Sequence, residues 1–158
     1  MEKTNVMRLL TQSGIRYTAH TYDAEVTDGN RVAELLGQDP MRVFKTLVTT
    51  SGPGMFHVFV IPVCGTLDLK KAAAAAGVKS IRMILQKELL PLTGYVHGGC
   101  SPIGMKKPLP TYIEECAECF DTILLSAGRR GCQVELAPGD LLACTDATFA
   151  DLTAAGRK

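Results

Sequence analysis

Apolar positions along this chain change period several times, and each change marks an element. Val6, Leu9 and Leu10 recur at helical spacing over 5–13, and Gly14 stands where such a helix would end. The stretch 16–22 alternates as a strand does. Thr27-Asp28-Gly29-Asn30 offers capping groups, Val32, Ala33, Leu35 and Leu36 supply the apolar face of a second helix, and Gly37 stops it. Asp39-Pro40 turns the chain into a strand over 44–50. Ser51-Gly52-Pro53-Gly54 then reverses it, so that 56–63 is the second arm of a hairpin.

Beyond Gly65 the pattern turns helical again. Residues 67–76 hold five consecutive alanines, the strongest helix formers, and Gly77 ends the run. A short strand over 81–84 and a helix over 86–92, stopped by Thr93-Gly94, lead into a glycine-rich loop. After it come a strand over 111–113, a short helix or bulge through Cys116-Ala117-Glu118-Cys119, and a buried strand over 122–125. Ser126-Ala127-Gly128-Arg129-Arg130-Gly131 forms a basic turn, 132–136 pairs back, and Pro138 opens a last helix before an Ala-Gly-Lys tail. Helices and strands mix without strict βαβ alternation. The pattern predicts an α/β chain of the α+β type, one domain over 1–158, with a mixed, mostly antiparallel, barrel-like sheet flanked by helices.

Composition narrows the function classes. With 46% hydrophobic and 21% charged residues the chain is globular, not disordered. A net charge of +1 supplies no global field toward nucleic acid or a membrane, so any basic footprint is local. Lys70-Lys71, Lys106-Lys107 and Arg129-Arg130 are the candidates, against the plainer reading of solvated surface pairs. The N-terminus has no signal-like apolar region, and the longest apolar stretch, 55–64, is too short for a membrane span, so a cytoplasmic protein is expected. The six cysteines then read as reduced thiols. Cys116 and Cys119 form the one CxxC, without the second ligand pair that structural zinc requires, and no metal is expected.

The densest chemistry lies in 96–107, where Gly98, Gly99, Ser101, Pro102 and Gly104 cluster. Such a loop can be neither regular strand nor helix, and its free N–H groups can face a ligand. It matches neither GxGxxG nor GxxxxGK[ST]. Lys45 enters an apolar strand beside Phe44. It is either an edge lysine reaching solvent or a cation facing a cleft. Thr46 falls on the opposite side of the pleat. Ser101 and Cys100 have no recognisable base, and no HExxH, G-x-S-x-G or paired carboxylates occur. An enzyme with these parts would work by positioning and polarisation, with the substrate itself supplying the nucleophile.

These residues bring a known family into view. His20-Thr21-Tyr22-Asp23, Phe44-Lys45-Thr46-Leu47, Ile61-Pro62-Val63, Leu67-Asp68-Leu69-Lys70-Lys71-Ala72 and Thr93-Gly94-Tyr95 occur in order. Gly98-Gly99-Cys100-Ser101-Pro102-Ile103-Gly104, Lys106-Lys107, Ser126-Ala127-Gly128-Arg129-Arg130-Gly131 and Phe149-Ala150-Asp151 follow. Together they resemble, essentially end to end, the YbaK/EbsC family, specifically the YbaK-type deacylases that act on Cys-tRNA(Pro). The resemblance implies trans-editing of tRNA(Pro) that prolyl-tRNA synthetase has mischarged with cysteine. It implies Lys45 and Gly98 as the catalytic positions, and Tyr22, Thr46, Gly99, Cys100, Ser101, Pro102, Ser126, Gly128 and Gln133 as substrate-binding positions. It also implies attack of the cysteinyl thiol on its own ester carbonyl, no cofactor, and neither DNA nor a membrane as partner.

The chain departs from the family pattern in two places. Gly131-Cys132-Gln133 stands where relatives carry Gly-Leu-Asp, so Gln133 brings no charge, and Cys100 replaces an aliphatic residue. Other readings are an editing domain for another small aminoacyl ester such as Ala-tRNA(Pro), a non-catalytic module that binds tRNA or the synthetase, and a thiol or zinc protein built on Cys116 and Cys119.

Overall fold

Two sheets that meet at one corner carry the chain, in a computed structural model that describes residues 2–154. Most of the small, basic tail (155–158) lies outside the described residues. The elements run α1 (Asn5–Gln12), β1 (Thr18–Thr21), α2 (Gly29–Leu35), β2 (Phe44–Gly52), β3 (Met55–Pro62), α3 (Leu69–Ala76), β4 (Arg82–Met83) and α4 (Gln86–Thr93). After the glycine loop come β5 (Thr111–Glu114), a 3-10 turn (Glu115–Cys119), β6 (Ile123–Ser126), β7 (Cys132–Leu136), α5 (Pro138–Thr145) and β8 (Thr148–Ala150). The smaller sheet, β1-β7-β6, is antiparallel throughout. The larger has the order β4-β2-β3-β5-β8: the β2–β3 hairpin and β4 pair antiparallel, whereas β5 and β8 add in parallel. A bridge from Val43 to Leu124 joins the sheets, giving a barrel-like wrap that does not close.

Local chemistry explains most boundaries. Thr4 accepts from Met7 N to open α1, and Asp68 accepts from Lys70 N and Lys71 N to open α3. The alanine helix therefore starts at Leu69, later than its apolar pattern predicts, because Leu67 is held as an antiparallel bridge to Thr153. β8 is only three residues long and has no alternation of its own to reveal it; its pairing with β5 makes it a strand.

Three apolar clusters radiate from the start of β2. Phe44 and Val48, with Val58 and Val60, face the main core beside α1, β6 and β7. Phe59 and Ile61 point to the other face, against Ala72 and Ala73 of α3 and Leu152. Ala33 of α2 packs on Val43, Val63 and Leu124, at the corner where the sheets join. Burying each of the larger side chains contributes roughly 2–3 kcal/mol, which holds the packed elements together at this corner. Among the described residues no helix is long and apolar enough to cross a membrane.

A polar network reinforces the corner. Glu135 accepts from Arg42 at 2.9 Å and from the Thr122 hydroxyl, and lies 2.8 Å from His20 Nε2, while Arg42 Nε donates to Thr122 O at 3.1 Å. These contacts, the Thr122 bond first, hold the Glu135 carboxyl below its ordinary value of 4.5, although burial pulls the other way. A depressed carboxyl gives its full stabilisation above pH 4.5 and loses it as pH falls through the folded value. Glu135→Gln is expected to cost about 1–2 kcal/mol at neutral pH and to flatten the loss of stability on the acid side. Urea unfolding across the acid range checks both effects. An unchanged acid limb in the variant would mean that other carboxyls govern it.

Candidate active site

A cavity of about 550 Å³ opens at this corner. Between the Val43–Leu124 bridge and the β4 pairing at Thr49 and Thr50, residues 44–47 have β3 on one side and the cavity on the other. Lys45, Thr46 and Leu47 form its floor, and Thr27, Asp28 and Asn30 at the start of α2 form one wall. Tyr22, Ser126 and Gln133 come from the smaller sheet, and His97, Gly98 and Cys100 come from the glycine loop. The sequence-derived positions Tyr22, Lys45, Thr46, Gly98, Cys100, Ser126 and Gln133 thus share one space, although 111 residues separate the first from the last.

Among the described residues the Lys45 ammonium makes no hydrogen bond or ion pair. It presents an unpaired cation, half-buried at the cavity. Thr46 Oγ1 and Gln133 Oε1 are buried with no hydrogen-bond partner. Unpaired burial costs about 1–3 kcal/mol per group, so both groups favour a polar ligand. Ser126 is also buried, and its hydroxyl accepts from Gly128 N at 3.1 Å.

The loop is shaped by what surrounds it. Gly98 has φ +88°, and a Cβ there would lie 2.9 Å from Thr27 Cγ2. A Cβ on Gly99 would lie 3.0 Å from the Arg129 and Arg130 backbone. Gly99 N closes a tight turn onto Val96 O at 3.0 Å, whereas the amides of Gly98 and Cys100 donate to no acceptor among the described residues. Behind the loop, Tyr95 donates its hydroxyl to Ile103 O, and Ser101 Oγ accepts from Ile103 N at 3.2 Å.

Four sequence-derived positions do not line the cavity. Gly99 is wedged against the 129–130 backbone, Ser101 and Pro102 are buried behind the loop, and Gly128 packs on Val6 and Tyr95. They shape the wall and do not form its surface. Conversely, Asp28, Asn30 and Leu89 line the cavity without having been singled out for it. Asp28 was legible only as a cap, which it is, accepting from Arg31 N at 3.2 Å. Its second role depends on where α2 docks.

Among the described residues none that lines the cavity is an activated nucleophile. Burial pushes the Cys100 thiol up to about 12, with a Thr93 hydrogen bond pulling weakly the other way, so it stays protonated at neutral pH. Cys116 and Cys119 sit on the 3-10 turn, away from the cavity. The one cluster of three metal-type ligands among the described residues is Glu114, Glu115 and Asp151, but the Glu114 carboxylate already accepts from Leu152 N, Thr153 N and Cys116 N.

Known proteins share this architecture. The sequence profile of the aminoacyl-tRNA editing domain matches residues 23–144. An Enterococcus faecalis protein named "Putative Cys-tRNA(Pro)/Cys-tRNA(Cys) deacylase EbsC" is 45% identical over 154 residues, covering 96% of this chain and 94% of that one. A solved structure titled as a "putative trans-editing enzyme for prolyl tRNA synthetase" superposes with a TM-score of 0.82 at 26% identity, over 97% of this chain and 99% of the other. A second, of a hypothetical protein, reaches 0.87 at 23% identity over 96% and 100%, a likeness of fold. The chain belongs to the aminoacyl-tRNA editing domain family, with the YbaK-type proteins its resemblance indicated. It is an aminoacyl-tRNA deacylase.

Proposed function

We propose that the protein removes cysteine from mischarged Cys-tRNA(Pro), with some action on Cys-tRNA(Cys), by letting the substrate attack itself. The observation that carries this reading is a cavity that, among the described residues, has an unpaired cation, unpaired backbone donors and no activated nucleophile. The cysteinyl sulfur forms a bond to its own ester carbonyl carbon, and the carbon–oxygen bond to the terminal ribose breaks. The thiol proton passes to that ribose oxygen, and water later opens the resulting thiolactone to free cysteine. Such an intramolecular attack needs orientation and a stabilised oxyanion. The Gly98 and Cys100 amides serve the oxyanion, and Lys45 holds a phosphate or sugar oxygen of the terminal adenosine as a point charge. Thr46 and Gln133 offer the remaining polar contacts to the aminoacyl group.

Alanyl and prolyl esters have no thiol, so selectivity arises from reactivity as well as from fit. The near-neutral charge supports weak, sequence-tolerant tRNA binding, with prolyl-tRNA synthetase supplying tRNA identity in a transient complex in the cytoplasm. On this reading residues 1–158 act as one editing domain. Purified protein incubated with labelled Cys-, Ala- and Ser-tRNA(Pro) tests the proposal: the cysteinyl ester is expected to decay fastest. Faster loss of the alanyl ester would favour an alanine editor. Binding without turnover would favour a non-catalytic module, a role for which the neutral Gln133 leaves room.

A further inference from the structure

Arg129 and Arg130 form a basic pair on the exposed β6–β7 turn, where composition alone would assign both to phosphate. Arg130 has a different geometry. Its Nε–H donates to His97 O at 2.8 Å, across 33 residues of sequence. Among the described residues this is the one hydrogen bond that ties His97 or Gly98 to the rest of the chain. The His97 carbonyl and the Gly98 N–H belong to a single peptide plane, in which a trans bond points them in opposite directions. Holding the carbonyl toward Arg130 therefore fixes the direction of the Gly98 N–H. The same turn reaches the facing wall, because Gly131 O accepts from Tyr22 N at 3.0 Å.

We propose that Arg130 is a positioning residue: its guanidinium straps the His97–Gly98 peptide so that the Gly98 amide keeps its aim into the cavity. This rests on the deacylase reading above, but it assigns Arg130 to the loop and not to the tRNA backbone. Two substitutions separate these roles. Glutamine places its carboxamide nitrogen at the same chain position as Arg Nε, so Arg130→Gln keeps a donor for His97 O and drops the charge. Arg130→Met keeps the reach and has no donor.

Arg130→Met is expected to lower kcat for Cys-tRNA(Pro) about tenfold, the scale of one lost hydrogen bond, with KM little changed. In the same variant the Gly99 amide should exchange with solvent about tenfold faster. Arg130→Gln is expected to restore both. Overturning results are a glutamine variant as impaired as the methionine one with a shallower salt dependence, which would signal a phosphate contact, or Gly99 exchange equal in all three proteins. Were the wild type to leave every aminoacyl ester intact, the deacylase reading would fall, and the exchange measurement would still decide the strap.

Discussion

Lys45→Ala is expected to lower kcat/KM for Cys-tRNA(Pro) by about 100-fold, the upper range for losing a charge-assisted hydrogen bond to substrate. It should leave the fold intact. The Lys45 ammonium has no partner among the described residues, so its removal orphans no buried charge, and the change in stability should stay within about 0.5 kcal/mol. Lys45→Arg is expected to recover little, because a planar fork does not replace a compact ammonium on a cavity floor. Single-turnover hydrolysis with circular dichroism and a melting curve checks all three statements. Activity near wild type in a folded alanine variant would remove Lys45 from the mechanism.

Gly98→Ala should be nearly as damaging, for a steric reason. The added methyl would lie 2.9 Å from Thr27 Cγ2, on a backbone with φ +88°. The left-handed conformation costs a non-glycine residue about 1–2 kcal/mol, so the loop shifts to escape both penalties. An ångström-scale displacement of a positioning group can cost about 100-fold in rate, and that is the expected loss. Gly139→Ala is the control. Among the described residues nothing beyond its chain neighbours and its own helix backbone would lie within 4 Å of an added Cβ, it has no positive φ, and it sits in α5 where alanine is the better helix former. That variant should keep full activity and melt slightly higher. Equal activity in the two variants would show that the loop is not held as described.

Much of the scaffold could be read from local chemistry. The Ser51–Gly54 reversal gives the β2–β3 hairpin, and the alanine run between Asp68 and Gly77 gives α3, since each depends on neighbours in sequence. Elements made by distant partners could not be read. β8 exists through β5, and Leu67 leaves the helical pattern for Thr153. The site divides in the same way. Lys45 and the loop were marked by unusual residues in unusual places. The same signal does not tell that Ser101 and Gly128 lie off the cavity surface, because density of special residues says nothing about which side of a loop faces the cavity. The unpaired oxygens of Thr46 and Gln133 became visible only when β2, β6 and β7 were brought together. Cys100 has the composition of a nucleophile and the environment of a packed apolar residue.

Self-attack depends on the sulfur of the substrate. Cys-tRNA(Pro) and its S-methylcysteinyl counterpart, hydrolysed side by side by the same enzyme, test that dependence directly. The methylated ester fills nearly the same space and cannot deliver a thiolate, so it should persist at the uncatalysed rate while the cysteinyl ester is consumed. Equal rates for the two esters would contradict self-attack and require a nucleophile from the protein or from water.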